Sequence, residues 1–267
     1  MIQAAFFDID GTLLDHSKGT SIFPNSTAGA LAALQRKGVK IFVSTGRAPS
    51  MLESIRDRFP FDGYVTMNGQ LVLERDGTVI HRLAHDPGDI RKLVPLVQAE
   101  GIPAFVLEEE ESFPLIDHPL VRKHYQWMKE PFPPYYDPAR LAEHPVLQFN
   151  VYMSLAEGIE ALSSLEHVEV TSSGGDVLDV IPKGGGKETG LNAVVEYYGF
   201  QRENTIAFGD GFNDLRMLKW AGIGIAMGNA AEYVKAAADY VTTPVYDDGI
   251  KNALLHLGIL TREDFGT

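Results

Sequence analysis

Phe6-Phe7-Asp8-Ile9-Asp10-Gly11-Thr12 is the stretch on which the reading of the whole chain turns. It closes an apolar run, Ile2 to Asp8, that is short enough to be a buried strand. Residues two apart on an extended segment point the same way, so Asp8 and Asp10 can face one site as the strand ends. Two close carboxylates repel, and one must either protonate or share a cation. Gly11 permits a tight turn and a close approach of backbone to a ligand. Asp10-Gly11 also fits an ordinary turn, so the rest of the chain has to decide. An EF-hand loop is excluded: it needs an acidic or amide residue at Thr12, glycine at Leu13 and glutamate at Gly19.

Working outward, the segments alternate between strand and helix. Ser26 or Thr27 is placed to cap a helix whose Leu31 and Leu34 face inward and which Gly38 stops. Val39 to Val43 reads as the next strand, followed by Ser44-Thr45-Gly46-Arg47 and a helix from about Ala48 to Arg58. This order predicts a right-handed, parallel α/β sheet. Short strands then follow at Gly63 to Thr66, Leu71 to Glu74 and Thr78 to Leu83, with Asn68-Gly69 and Asp76-Gly77 as hairpin turns, although Asn68 also fits a ligand contact. From about Ala84 to Pro182 the pattern is mixed: helices over Pro87 to Glu100 and Leu155 to Leu165, and strands at Ile102 to Leu107, Val146 to Tyr152 and Val168 to Thr171. After Gly184-Gly185-Gly186 the earlier rhythm returns, with helices at Lys187 to Tyr198 and Asp214 to Ala221 and strands at Thr205 to Phe208 and Ile223 to Ala226. The expected architecture is a Rossmann-like, doubly wound parallel sheet built from residues 1–83 and 184–267. An α+β module, residues 84–183, is inserted into it.

In an open α/β sheet, ligands bind beyond the carboxyl ends of the strands. Four polar clusters fall at that edge: Asp8/Asp10, Ser44 to Arg47, Lys187, and Gly209-Asp210-Gly211-Phe212-Asn213-Asp214. Asp210 and Asp214 form a second acidic pair; the alternative is that Asp210-Gly211 is a turn and Asp214 a helix-start residue. Oxygen ligands without usable sulfur suit a hard ion, with Mg2+ the natural candidate. Lys187 stands in the first turn of a helix, where a cation opposes the helix dipole and an anionic ligand would remove the conflict. A solvent-facing lysine after a flexible linker is the plainer reading. A P-loop is excluded, because its first glycine would have to be Ile181 and Lys187 is followed by Glu188. Thr45, Gly46 and Arg47 offer a hydroxyl, backbone N–H groups and a guanidinium fork suited to phosphate.

Composition narrows the function classes. The 267 residues are 45% hydrophobic and 22% charged, as in ordinary globular proteins. A net charge of -13 argues against nucleic-acid binding, which needs a basic face. No cysteine is present, which removes disulfides and thiolate zinc sites and fits a reducing cytosol. No apolar run approaches ~18 residues and no secretory signal is visible, so a soluble, cytoplasmic protein without membrane contact is expected. His81 and His85 lack a third ligand for zinc. Glu108 to Glu111 reads as a solvated loop.

In combination, Asp8-Ile9-Asp10-Gly11-Thr12, Ser44-Thr45-Gly46-Arg47, Lys187 and Gly209-Asp210 through Asn213-Asp214 resemble the haloacid-dehalogenase-like superfamily. Within it they resemble the Cof-type phosphatases, whose large cap is inserted between the second and third motifs. The resemblance implies a Mg2+-dependent phosphatase acting on a small phosphorylated metabolite, such as a sugar phosphate. Asp8 would be the nucleophile, forming an aspartyl-phosphate, and Asp10 the general acid and then base. Asp8, the backbone carbonyl of Asp10, Asp210 and Asp214 would hold Mg2+. Thr45, Lys187 and Asn213, with backbone N–H groups near Ile9 and Gly46, would hold the phosphate. A phosphomutase of the phosphomannomutase type shares these motifs and stays open, as does a non-catalytic phosphometabolite-binding regulator. Specificity would come from the cap, with Trp127 to Tyr136 as a candidate segment that fits ordinary cap core equally well.

Overall fold

A computed structural model describes residues 1–17, 19, 21–128, 132, 140–141, 143–172 and 177–265. Among these, β1 (Ala4–Phe7), α1 (Asn25–Arg36), β2 (Lys40–Ser44), α2 (Glu53–Arg56), β3 (Gly63–Thr66), β4 (Leu71–Glu74) and β5 (Val79–Arg82) come first. The middle of the chain forms α3 (Pro87–Ala99), β6 (Ala104–Leu107), β7 (Ser112–Pro114), α4 (Pro119–Met128), β8 (Gln148–Tyr152), α5 (Leu155–Ala161), β9 (Val168–Thr171) and β10 (Val177–Pro182). The last part forms α6 (Lys187–Tyr198), β11 (Thr205–Gly209), α7 (Leu215–Trp220), β12 (Ile223–Ala226), α8 (Glu232–Lys235), β13 (Tyr240–Val241) and α9 (Gly249–His256).

The first sheet runs β13-β12-β11-β1-β2-β3-β4-β5. Pairing is parallel from β13 through β3 and antiparallel between β3, β4 and β5. Alternation along β1 explains why helices cover both faces. Ala5 and Phe7 join Leu31 and Leu34 of α1 and Ile250 and Leu254 of α9 in one core. Ala4 and Phe6 join Leu191 and Val194 of α6, Met217 of α7 and Val234 of α8 in another. A strand buried on both sides reads as continuous apolar sequence, which is why Ala4 to Phe7 carries no polar residue. The core is thus the doubly wound, parallel-dominated α/β fold expected from the sequence.

The second sheet is antiparallel, in the order β7-β6-β8-β10-β9. Its outer face packs on α3 through Ile90, Leu93, Val94 and Val97. On its other side Phe105, Leu107 and Leu147 pack with Val121 and Tyr125 of α4 and with Ala48, Met67, Leu71 and Leu73, which belong to the first sheet and its loops.

Several local expectations change. Helix α1 begins before Ser26 and Thr27, with Pro24 at its N-cap and no side-chain cap; Thr27 is buried inside the helix. The helix expected over 48–58 is a 3-10 turn, Pro49–Leu52, running into the short α2. Helix α5 ends at Ala161 and starts with a reciprocal capping box between Ser154 and Glu157, which the sequence reading passed over. Asn68-Gly69 is no two-residue hairpin but part of a 3-10 turn, Met67–Gly69. Glu108 is not solvated: it is buried and paired with Arg140 at 2.7 Å. Trp127 to Tyr136 falls largely outside the described residues.

His85, just after β5, is buried under Phe149, and its Nε2–H donates to the Val180 carbonyl at 3.1 Å. Burial pushes its pKa down to about 4. Below the ordinary imidazole value the unfolded chain takes up a proton that the folded chain refuses. Stability is therefore complete above about pH 6.5 and falls as pH drops towards 4. His85→Leu should remove about 2 kcal/mol of the stability difference between pH 7.5 and pH 5. Urea unfolding of both proteins at the two pH values measures this, and an identical difference in both would refute it.

Candidate active site

Strand β1 stops at Phe7, and the next residues leave it in a tight turn. Leu13 N donates to Ile9 O at 3.0 Å and Gly11 N donates to Leu14 O at 2.9 Å. Gly11 needs its φ of +87°, and a Cβ there would lie 2.2 Å from Asp210 Oδ2. Asp8 and Asp10 consequently do not project from one extended strand, as the sequence suggested. Asp8 points into the interior and is 7% exposed. Asp10 turns outwards to a bidentate pairing with Arg47, Nε to Oδ2 at 3.0 Å and Nη2 to Oδ1 at 2.5 Å. Arg47 thus spends its fork on Asp10. His16 Nε2 lies 2.8 Å from the same carboxylate, and Ser21 Oγ lies 3.2 Å from His16 Nδ1. Nothing in the motif pattern pointed to His16; it arrives because the turn folds the loop back over Asp10.

Lys187 opens α6 and is 1% exposed. Its ammonium donates to Asp8 Oδ1 at 2.6 Å and to Asp214 Oδ1 at 2.5 Å. The expected conflict with the helix dipole is therefore settled by two carboxylates of the chain itself. Burial opposes the ammonium's charge, but Asp214 and Asp8 outweigh it and hold the pKa above its ordinary value.

Asp214 does double duty. Its Oδ2 accepts from the backbone N–H groups of Asp210 at 2.9 Å and Gly211 at 2.8 Å, which shapes the loop after β11. The helix-start reading of this residue was thus correct locally without excluding a place in the site. Asp210 accepts from Thr12 Oγ1 at 2.9 Å and from Asn229 Nδ2 at 3.2 Å. Asn229 also donates to Gly11 O at 2.9 Å, tying the Asp210 loop to the first turn. Carboxylate oxygens of Asp8, Asp210 and Asp214 lie within 4.8 Å of one another. Burial raises the Asp8 pKa well above the usual range; Lys187 opposes the shift, and Asp214, Asp210 and Asp10 add to it. Burial, then Asp214, pushes Asp210 up to about 7. The three acids outnumber the one buried ammonium, an all-oxygen donor set whose charge a hard divalent cation would balance.

Thr45 is buried: its N–H donates to Val65 O at 2.8 Å and its hydroxyl accepts from Arg47 N at 3.2 Å. Asn213 is 8% exposed, and its Nδ2 donates to Asn68 Oδ1 at 2.9 Å. From the second sheet, Gln148, Asn150 and Asp179 face the same region. Burial pushes Asp179 up to about 7, against the hydrogen bond from Asn68, the charge of Lys187 and the hydrogen bond from Asn150. None of these three was singled out from the sequence. They sit in ordinary alternating strands, and their convergence depends on how the two sheets meet.

The family model for haloacid dehalogenase-like hydrolases matches residues 5–254. The chain is a haloacid dehalogenase-like hydrolase. It is 34% identical to YkrA of Bacillus subtilis (strain 168), named as a candidate phosphatase, over 96% of this chain and 97% of YkrA. The structure of the HAD subclass IIB sugar phosphatase BT4131 superposes with a TM-score of 0.88 at 36% identity, covering 97% of this chain and 100% of that one. BT1666 from Bacteroides thetaiotaomicron, a phosphatase of the same superfamily, gives a TM-score of 0.88 at 34% identity, covering 97% and 96%. Membership among the Cof-type (subclass IIB) phosphatases makes the chain a phosphoric monoester hydrolase for small phosphorylated substrates. No helix among the described residues is long and apolar enough to cross a membrane.

Removing one member of a buried ion cluster leaves the others uncompensated. Lys187→Met should therefore destabilise the metal-free protein at neutral pH by about 3 to 5 kcal/mol. Urea denaturation reads the effect, and a loss below about 1 kcal/mol would show that the ammonium does not hold the cluster together.

Proposed function

We propose that the chain is a Mg2+-dependent phosphatase that hydrolyses a phosphorylated metabolite of the sugar-phosphate type through an aspartyl-phosphate on Asp8. The observation that carries this reading is the meeting of Asp8, Lys187 and the Asp210/Asp214 pair, drawn from three distant segments of the sequence, in one largely buried cluster. Arg47-bound Asp10 stands at its mouth. Asp8, the backbone carbonyl of Asp10, Asp210 and Asp214 would hold Mg2+, whose charge would offset repulsion between the Asp8 carboxylate and the phosphate dianion.

In this reading the Asp8 carboxylate attacks phosphorus as the bond to the leaving oxygen breaks. Lys187 favours the ionised Asp8 that the attack requires, against the pull of burial. Asp10 leaves its pairing with Arg47, takes up a proton from solvent and passes that proton to the leaving oxygen. The same carboxylate then takes a proton from the water that attacks phosphorus, which frees Asp8 and releases inorganic phosphate. Thr45, Lys187, Asn213 and the backbone N–H groups near Ile9 and Gly46 hold the phosphate oxygens, and Arg47 governs Asp10. The sugar-phosphate class draws support from the similarity to BT4131. Residues 84–183 act as a cap over the 1–83 and 184–267 core. A cytoplasmic location fits the cysteine-free composition.

Asp8→Asn should abolish phosphate release, and chelation of Mg2+ should do the same reversibly. A fully active Asp8→Asn enzyme would sink the nucleophile assignment. A phosphomutase would instead convert a sugar 1-phosphate to a 6-phosphate when primed by a bisphosphate, without net phosphate release. Asp10→Ala should lose about 100-fold or more on alkyl phosphates and much less on nitrophenyl phosphate, whose leaving group needs no proton. Equal losses on both would argue against the acid role.

A further inference from the structure

Asn68 has a place that neither the turn reading nor the catalytic motifs account for. It is 1% exposed, and its backbone is left-handed, with φ 53° and ψ 36°. Met67 before it has φ +49°, and Gly69 after it has φ +96°. Left-handed backbone is disfavoured for non-glycine residues and persists where the surroundings over-determine it. Here they do. Met67 N donates to Arg47 O at 3.0 Å, and Asn68 N donates to Thr45 O at 2.9 Å. Gly69 presses so closely on the start of α6 that a Cβ would lie 2.1 Å from Gly186 O. The turn is therefore locked to the Thr45–Arg47 loop on one side and to the helix that carries Lys187 on the other.

Glycine at position 68 would adopt this backbone without strain. What asparagine adds is its amide. The Oδ1 accepts from Asn213 Nδ2 at 2.9 Å, and the Nδ2 donates to Gln148 Oε1 at 3.0 Å and Asp179 Oδ2 at 2.9 Å. Asn150 in turn donates to the other oxygen of Asp179, and Gln148 donates to Asn150 Oδ1 at 3.2 Å and to Gly46 O at 3.4 Å. One buried side chain thus joins the second sheet to Asn213, while its own backbone holds Thr45.

We propose that Asn68 is a positioning residue for phosphoryl transfer: through it, Asp179 and Gln148 of the second sheet orient the Asn213 amide and the Thr45–Gly46 backbone around the phosphate. The inference rests on the phosphatase reading above. The phosphate pocket reaches its working geometry only while the second sheet is docked, so groups that never touch the reacting atoms set the rate. A purely structural pin between the sheets would instead change stability and leave tight recognition of the transition state intact.

Two variants separate these roles. Asn68→Gly keeps the left-handed backbone and deletes only the amide. It should lower kcat/KM for nitrophenyl phosphate at least tenfold with little change in melting temperature. It should also weaken orthovanadate, which mimics the five-coordinate phosphorus, by a similar factor, and weaken inorganic phosphate less. Asn68→Asp places a carboxylate against Asp179 and should be worse. Asn68→Asp combined with Asp179→Asn reverses the donor and acceptor and should recover most of that loss. The inference is overturned if Asn68→Gly stays within twofold of wild type, or if the double variant is no better than Asn68→Asp. Wild-type protein that releases no phosphate from any ester would overturn the phosphatase reading itself. Calorimetric vanadate affinity would then still decide the role of Asn68, which stands only if Asn68→Gly binds at least tenfold more weakly.

Discussion

The buried ammonium of Lys187, held between Asp8 and Asp214, is the contact on which the rest of the site depends. A charge taken out of water is costly unless it is paired with good geometry. Here the pairing partners come from the end of β1 and from the loop after β11, and the lysine comes from the first turn of α6. The three elements can meet only if β1 and β11 are adjacent and parallel, as they are, with α6 packed on the face that carries Ala4 and Phe6. The electrostatics of the site and the order of the central strands are thus one constraint.

That constraint leaves negative charge in excess. Asp8 and Asp210 both have their pKa raised, by burial first and by neighbouring carboxylates in addition, so the protein has set ionisable groups where they are uncomfortable without a partner. Such tension is typical of sites that bind a cation and an anion together. Asp10, by contrast, is exposed and engaged with Arg47, so the two aspartates two residues apart occupy different environments, as their different proposed roles require. The tight turn at Gly11 produces that difference.

Around this centre the two sheets meet through polar as well as apolar groups. Asn68, Asn150, Gln148 and Asp179 form a hydrogen-bonded set buried between them, next to an apolar contact that includes Met67, Leu71 and Phe105. Arg216 of α7 adds an exposed pairing with Glu169 of β9 at 2.5 Å. A polar junction of this kind is specific in register, because each group has a partner only in one alignment.

Much of this was legible in the chain. The apolar runs ending in Asp8, Ser44 and Gly209 marked parallel strands, and the charge-bearing residues just beyond them marked the ligand edge, because strand periodicity and strand ends are local properties. Lys187 was legible as an anomaly against the helix dipole, though the partners that resolve it lie 179 and 27 residues away. The direction of Asp10, the arrival of His16 and the commitment of Arg47 were not legible: they follow from a turn whose dihedrals only the packing of Gly11 against Asp210 imposes. Nor was the junction of Asn68 with Asp179, 111 residues apart, since amides in ordinary strands carry no local mark. The sequence by itself determined which residues could do chemistry and on which edge of the sheet they lie, because those depend on neighbours along the chain. Only the tertiary structure decided which of them share a charge, face a cap or face one another, because those depend on neighbours across it.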